Sequence, residues 1–139
     1  ATSWRPDMAA APAFASAPRI LFASVSTANT ARDGTGTIAT LGSAAPAAGQ
    51  KVTSITVVAT GDPADSIVNI FIHDGTTALF FDSFDLGNPA AASTTVDTYR
   101  ASKTYADLVL PSGYTLRASI TVALTAGVVN VFAMAGDLT

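Results

Sequence analysis

The chain holds one histidine, His73, ten aspartates, no glutamate and no cysteine, and these residues bound any chemistry it could perform. A Ser-His-Asp triad or a histidine-based metal centre would have to be assembled around that single imidazole. His73 stands at the mouth of Asp74-Gly75, where a donor to the turn backbone is useful, so a structural role is expected. Glycoside hydrolysis needs two carboxylates about 5 to 10 Å apart. Asp82 and Asp85 are close in sequence, but their odd spacing in an extended strand sends them to opposite faces. Asp62 with Asp65, or Asp33 with neighbouring carbonyls, could approach calcium. However, the twelve-residue EF-hand pattern is missing, and turn aspartates usually bond the backbone. No Gly-x-Ser-x-Gly elbow, His-Glu-x-x-His pair or Walker-type loop occurs, and Asp33-Gly34-Thr35-Gly36 lacks the strand-to-helix setting of a phosphate loop. The expectation is a protein that is not an enzyme and that uses no metal and no cofactor. A sugar platform would need exposed aromatics. Trp4, Tyr99, Tyr105 and Tyr114 are the candidates, and the favoured reading for each is a buried ring whose polar tip reaches water.

The elements that would position these residues are strands. Only 12% of the 139 residues are charged and 49% are hydrophobic, so disorder is disfavoured and much of the surface must be Ala, Ser, Thr and Gly, which suits close contact with neighbours. The absence of Glu removes a common helix former. Seven scattered cations against ten acids leave a net charge of −3, without the basic patch of a nucleic-acid binder. No apolar run is long enough to span a bilayer, and no signal-peptide pattern opens the chain; neither nucleic acid nor membrane is an expected partner.

Ser66 to Asp85 is the organising stretch: two runs rich in Ile and Phe flank His73-Asp74-Gly75-Thr76, and Asp-Gly signals a type I′ hairpin. In the first run both faces are largely apolar, with Val68, Ile70 and Ile72 on one side and Ile67, Asn69, Phe71 and His73 on the other, so this strand belongs inside an assembly. Further strands are expected at 19–26, 37–41, 51–59, 94–99, 114–123 and 128–135. The best alternation lies at Leu116, Ala118, Ile120 and Val122 against a wetter face of Thr115, Arg117, Ser119 and Thr121. Residues 100–107 read as an irregular strand or a turn, and Gly136-Asp137 as the end of the last strand. Eight short strands separated by Gly, Pro, Asn and Asp turns predict an all-β, eight-stranded antiparallel sandwich, jelly-roll-like by preference, with an immunoglobulin-like topology as the competitor.

Ahead of this domain, over 19–139, residues 1–18 read as an extended N-terminal arm, because Pro6, Pro12 and Pro18 interrupt any helix. Ordering such an arm costs about 1 to 2 kcal/mol per residue, more than burial of Trp4 and Phe14 at roughly 2 to 3 kcal/mol each returns. It should therefore order only against a neighbour. Trp4, Arg5, Met8 and Phe14 are the expected partner-binding residues.

Four segments carry a family resemblance: Thr27–Gly36, Phe71–Thr76, Leu110–Ser119 and Asn130–Asp137. Together, over about residues 20 to 138, they resemble small virion proteins that sit on or decorate the heads of tailed bacteriophages. The Ala-rich residues 44–48 and the Pro-rich leader depart from that pattern. The resemblance implies a β-sandwich capsid accessory protein, often oligomeric and without enzymatic activity. The expected function is capsid decoration or cement on the outer surface of the virion head. It would act as a homo-oligomer, a trimer by preference, with the major capsid protein as partner. The alternative is a carbohydrate-binding or receptor-binding module of a phage tail or fibre.

Overall fold

In the computed structural model, which describes residues 15–87 and 89–138, eight strands follow one another: β1 (Ala15–Val25), β2 (Ala39–Leu41), β3 (Gln50–Ala59), β4 (Ser66–His73), β5 (Ala78–Gly87), β6 (Arg100–Leu110), β7 (Thr115–Ile120) and β8 (Val129–Leu138). They pair antiparallel into two four-stranded sheets, ordered β1-β8-β3-β6 and β2-β7-β4-β5. Every connection except the β4–β5 hairpin passes from one sheet to the other, which is the strand order of a jelly roll and excludes the immunoglobulin-like alternative.

Period-two patterning builds the core. From the first sheet Leu21, Val52, Ile55, Val57, Val129 and Val131 point inward, and from the second Leu41, Val68, Ile70, Leu116 and Ile120 meet them, all essentially without solvent contact. The β1 and β2 edges lie together along one flank. The β5 and β6 edges meet along the other, joined by the side chains of Asp82, Lys103 and Tyr105.

Several strand boundaries differ from the sequence expectation, each for a local reason. Residues 94–99 are not a strand: the Ser93 hydroxyl accepts from the amides of Thr95 and Val96, and Ser93 N–H donates to Val96 O, closing a turn. The strand begins instead at Arg100. Its inward side carries small Ala101 and the amphipathic Lys103 and Tyr105, so no apolar alternation marks it. β8 runs through Gly136 and Asp137, where Gly136 lies between Pro18 and Lys51 and Asp137 takes hydrogen bonds from Arg19 and Gln50. β1 starts at Ala15, opposite Leu138, within the stretch read as arm. β7 ends at Ile120; Thr121 turns away and exchanges hydrogen bonds with the backbone of Ile67.

The central hairpin is present, but its turn is not the expected two-residue type I′. His73 pairs with Ala78, leaving a four-residue loop in which Gly75 alone has a positive φ, at 103°. The Asp74 carboxylate accepts from the amides of Thr76 and Thr77, both at 2.8 Å, replacing the backbone pairing of a tighter turn.

β4 is buried on both faces, as its composition requires, yet its outward side is covered by this same chain. Asn29 N–H donates to Ile120 O at the end of β7, and the Asn29 side-chain amide donates to Thr35 O and Thr37 O, closing a loop over Asn29–Thr37. From that closure the loop reaches β5: Arg32 lies 5.2 Å from the centre of the Phe80 ring, and Gly34 abuts Ala78. Since β4 lies between β7 and β5, the loop roofs it. Beneath, Phe71 packs edge-on against Phe80 and is fully buried apart from the main core. Ser119 and Thr115, expected on a wetter face, are buried there too.

Candidate interaction surfaces

On the outer side of the first sheet the register aligns Ile20 with Met134 and Phe22 with Phe132 and Thr56. Ile20 and Phe22 are 59% and 63% exposed, because even-numbered residues of β1 point away from the core that Leu21 and Val25 enter. Ile20, Thr56, Val58, Phe132 and Met134, rimmed by Asp97 and Arg100, line an open hollow of about 500 Å³. Its floor is apolar and its rim holds one charge of each sign.

A second apolar group lies on β5. Leu79, Phe80 and Phe81 are consecutive and exposed, Leu79 at 65%. A bulge explains the run: Ile70 pairs with Asp82 and Phe71 with Phe80, so Phe81 is the extra residue that escapes the usual alternation. Arg32 sits over Phe80, giving this corner a cation at its margin.

The β5/β6 flank carries the densest polar cluster. Tyr105 OH donates to Asp82 Oδ2 at 2.7 Å and Lys103 Nζ donates to Asp82 Oδ1 at 2.9 Å, while Lys103 also lies 5.0 Å from the Phe84 ring centre. Burial pushes the Asp82 carboxyl up. Hydrogen bonds from Tyr105, Lys103 and the Ser83 amide outweigh that and hold it below the ordinary aspartate range. Burial, with the Asp82 carboxylate beside it, pushes the Tyr105 hydroxyl well above its ordinary value. The cluster ties one sheet to the other.

The residues considered for catalysis are dispersed. His73 Nδ1 accepts from Gly75 N–H at 3.0 Å, so the imidazole serves the turn as acceptor rather than as donor. Asp82 and Asp85 point to opposite sides of β5, as their spacing predicts: Asp82 turns toward β6, and Asp85 accepts from the Gly87 amide. The Asp33 and Asp62 carboxylates bind their own turns, Asp33 taking the Thr35 hydroxyl and amide and Asp62 the Ala64 amide. Among the described residues no group of three or more His, Asp or Glu side chains comes together.

Tyr99, Tyr105 and Tyr114 pack partly buried against the core, with the Tyr99 hydroxyl donating to Asp85 O and that of Tyr105 to Asp82. Tyr99 and Tyr105 thereby cross-link to β5. Asn69 and Ser119, a cross-strand pair under the roof, bury side-chain polar atoms without a partner among the described residues. Ser119 borders an 80 Å³ hollow lined also by Ser24, Ser26, Thr27 and Thr37, a size and polarity suited to ordered water. The expected partner-binding residues Trp4, Arg5, Met8 and Phe14 lie outside the described residues, so it is the two apolar groups that the structure brings to notice. Sequence reading missed both. Alternation in 19–26 held the signal for Phe22, whereas the Phe81 bulge had none.

No protein-family model matches the chain, and no curated protein matches it in sequence. In three dimensions it is similar to a chain of the "Acidic stable capsid structure of Helicobacter pylori bacteriophage KHP30", with a TM-score of 0.52 and 18% identity over 89% of this chain and 90% of that one. At that identity the likeness establishes a shared fold, and the architecture is accordingly an eight-stranded antiparallel β-sandwich of jelly-roll type.

Proposed function

We propose that this chain is a structural protein of a bacteriophage virion, associated with the capsid, and that its finer role is decoration or cement on the outer surface of the head. The observation that carries the proposal is the jelly roll's similarity, across nine tenths of both chains, to a chain in a phage capsid structure. The bare apolar face of the first sheet supports a life in contact with other protein surfaces. Its partner would be the major capsid protein, reached through the part of the expected arm that precedes β1, residues 1–14, with Trp4, Arg5, Met8 and Phe14 as contacts, and it would act without turnover of any substrate. A sugar-binding or receptor-binding role draws less support, because Tyr99 and Tyr105 pack partly buried against the core and engage their hydroxyls with Asp85 O and Asp82 on β5.

Electron microscopy of purified particles tests this reading. The expected result is regularly placed density for the jelly roll outside the shell, weakened when residues 1–14 are deleted. Absence of the protein from particles overturns it.

A further inference from the structure

Apart from the single exposed valines Val96, Val109 and Val122, the exposed large apolar side chains among the described residues fall into two groups. One is Ile20, Phe22 and Met134 on the outer face of the first sheet; the other is Leu79, Phe80 and Phe81 on β5 in the second. The groups differ in shape. The first borders a hollow of about 500 Å³, and the second is a corner where a bulge interrupts the alternation and three consecutive side chains are exposed, Phe80 beside Arg32 and Phe81 beside Tyr105. They also sit diagonally apart. β1 is the edge strand beside β2, whereas β5 is the edge strand on the flank it shares with β6. Arg32 covers Phe80 at the corner, and the rim of the hollow offers it Asp97, with Arg100 elsewhere on the same rim.

We infer that copies of this chain associate head to tail, the Leu79–Phe81 corner of one copy seating in the Ile20–Phe132–Met134 hollow of the next and Arg32 meeting Asp97 across the contact. Apolar groups of this exposure, clustered and unlike, call for cover, and each is the complement of the other rather than of itself. A twofold contact would place like against like: knob on knob, hollow on hollow. A head-to-tail contact uses both groups in a single interface type, repeats from copy to copy and closes into a ring when the rotation per step allows. This arrangement concerns the isolated chain and holds whether or not a capsid is the eventual partner.

Sedimentation of the full chain across a wide concentration range is the test. The expected result is self-association that Phe22→Asp and Leu79→Asp each weaken about tenfold or more, since either leaves a carboxylate in a water-excluded contact. Circular dichroism and thermal melting establish that both variants remain folded. Arg32→Asp and Asp97→Arg should each weaken association several-fold, and the double variant Arg32→Asp/Asp97→Arg should restore it, because the exchanged charges again face each other. A monomer at all concentrations overturns the inference. So does association sensitive to only one of the two groups, which is the signature of a twofold contact, or failure of the double variant to recover. If deletion of residues 1–14 strengthens association, the hollow is covered by the chain's own leading segment and the head-to-tail arrangement is equally overturned. Particle imaging reads out separately, so loss of one reading leaves the other standing.

Discussion

The outer faces of the two sheets present similar chemistry and meet opposite fates. On the second sheet Phe71 would lie open to water, but the Asn29–Thr37 loop crosses above it and leaves it fully buried. On the first sheet no comparable loop crosses β1 and β8 among the described residues, and Phe22 is 63% exposed. A two-sided apolar strand therefore does not by itself announce a partner. A long connection within the chain can supply the cover, and the face without a roof is where an interface should be sought.

Breaking the roofed side should cost most. Phe71→Ala removes a fully buried ring and is expected to lower stability by about 3 to 5 kcal/mol, read from denaturant unfolding; a cost below about 1 kcal/mol would mean that the loop does not seal the face. Gly34→Val attacks the roof itself. Gly34 has a φ of 87°, and a Cβ there would lie 2.7 Å from Ala78 O, so a loss of about 1 to 3 kcal/mol is expected, with faster amide exchange at Asn69 and Phe71 as the local sign. Tyr105→Phe cuts the cross-sheet bond to Asp82 and should cost about 0.5 to 1.5 kcal/mol. Phe22→Ser on the bare face should change the monomer's unfolding free energy by no more than about 0.5 kcal/mol, while its self-association falls. A large monomer penalty there would erase the contrast between the faces.

Acid sharpens the same contrast. Asp82 is held low although burial opposes it, through Tyr105, Lys103 and Ser83; Asp137 is held low chiefly by the Gln50 side chain, and Asp33 and Asp74 by hydrogen bonds within their turns. A carboxyl whose folded pKa lies below its unfolded value binds fewer protons when folded. Its stabilisation is therefore complete above the unfolded value of about 3.9 and is lost as pH falls through the folded one. Melting temperature should be flat near neutrality and drop below about pH 4, with Asp82→Asn flattening part of that drop. Tyr105 has the opposite sign: its raised hydroxyl pKa favours the folded state until pH climbs past the unfolded value of about 10, and Tyr105→Phe should remove that alkaline loss.

The fold was legible wherever one face of a strand is buried. Val68, Ile70 and Ile72, Leu116, Ala118 and Ile120, and Thr53 to Ala59 announced themselves through alternation, and Asp74-Gly75 marked the hairpin even though its loop has four residues. β6 was displaced in the reading because an edge strand needs few apolar residues: Lys103 and Tyr105 present their stems inward and their polar ends to Asp82. The β-sandwich that the resemblance implied is the fold observed, shared with a chain of a phage capsid structure, while the residues expected to bind a partner, Trp4, Arg5, Met8 and Phe14, fall outside the described part of the chain.

By itself, then, the sequence determined most of the strands and where the chain turns, though not β6 or the form of the hairpin loop, because backbone sterics and period-two burial act over a few neighbouring residues. The order of strands within each sheet, the passage of the 29–37 loop over β4 and the bulge that pushes out Phe81 were decided only in three dimensions. Each depends on which distant surfaces come together, and pairings such as Asn29 with Ile120 or Phe22 with Phe132 leave no periodic trace in the local run of residues.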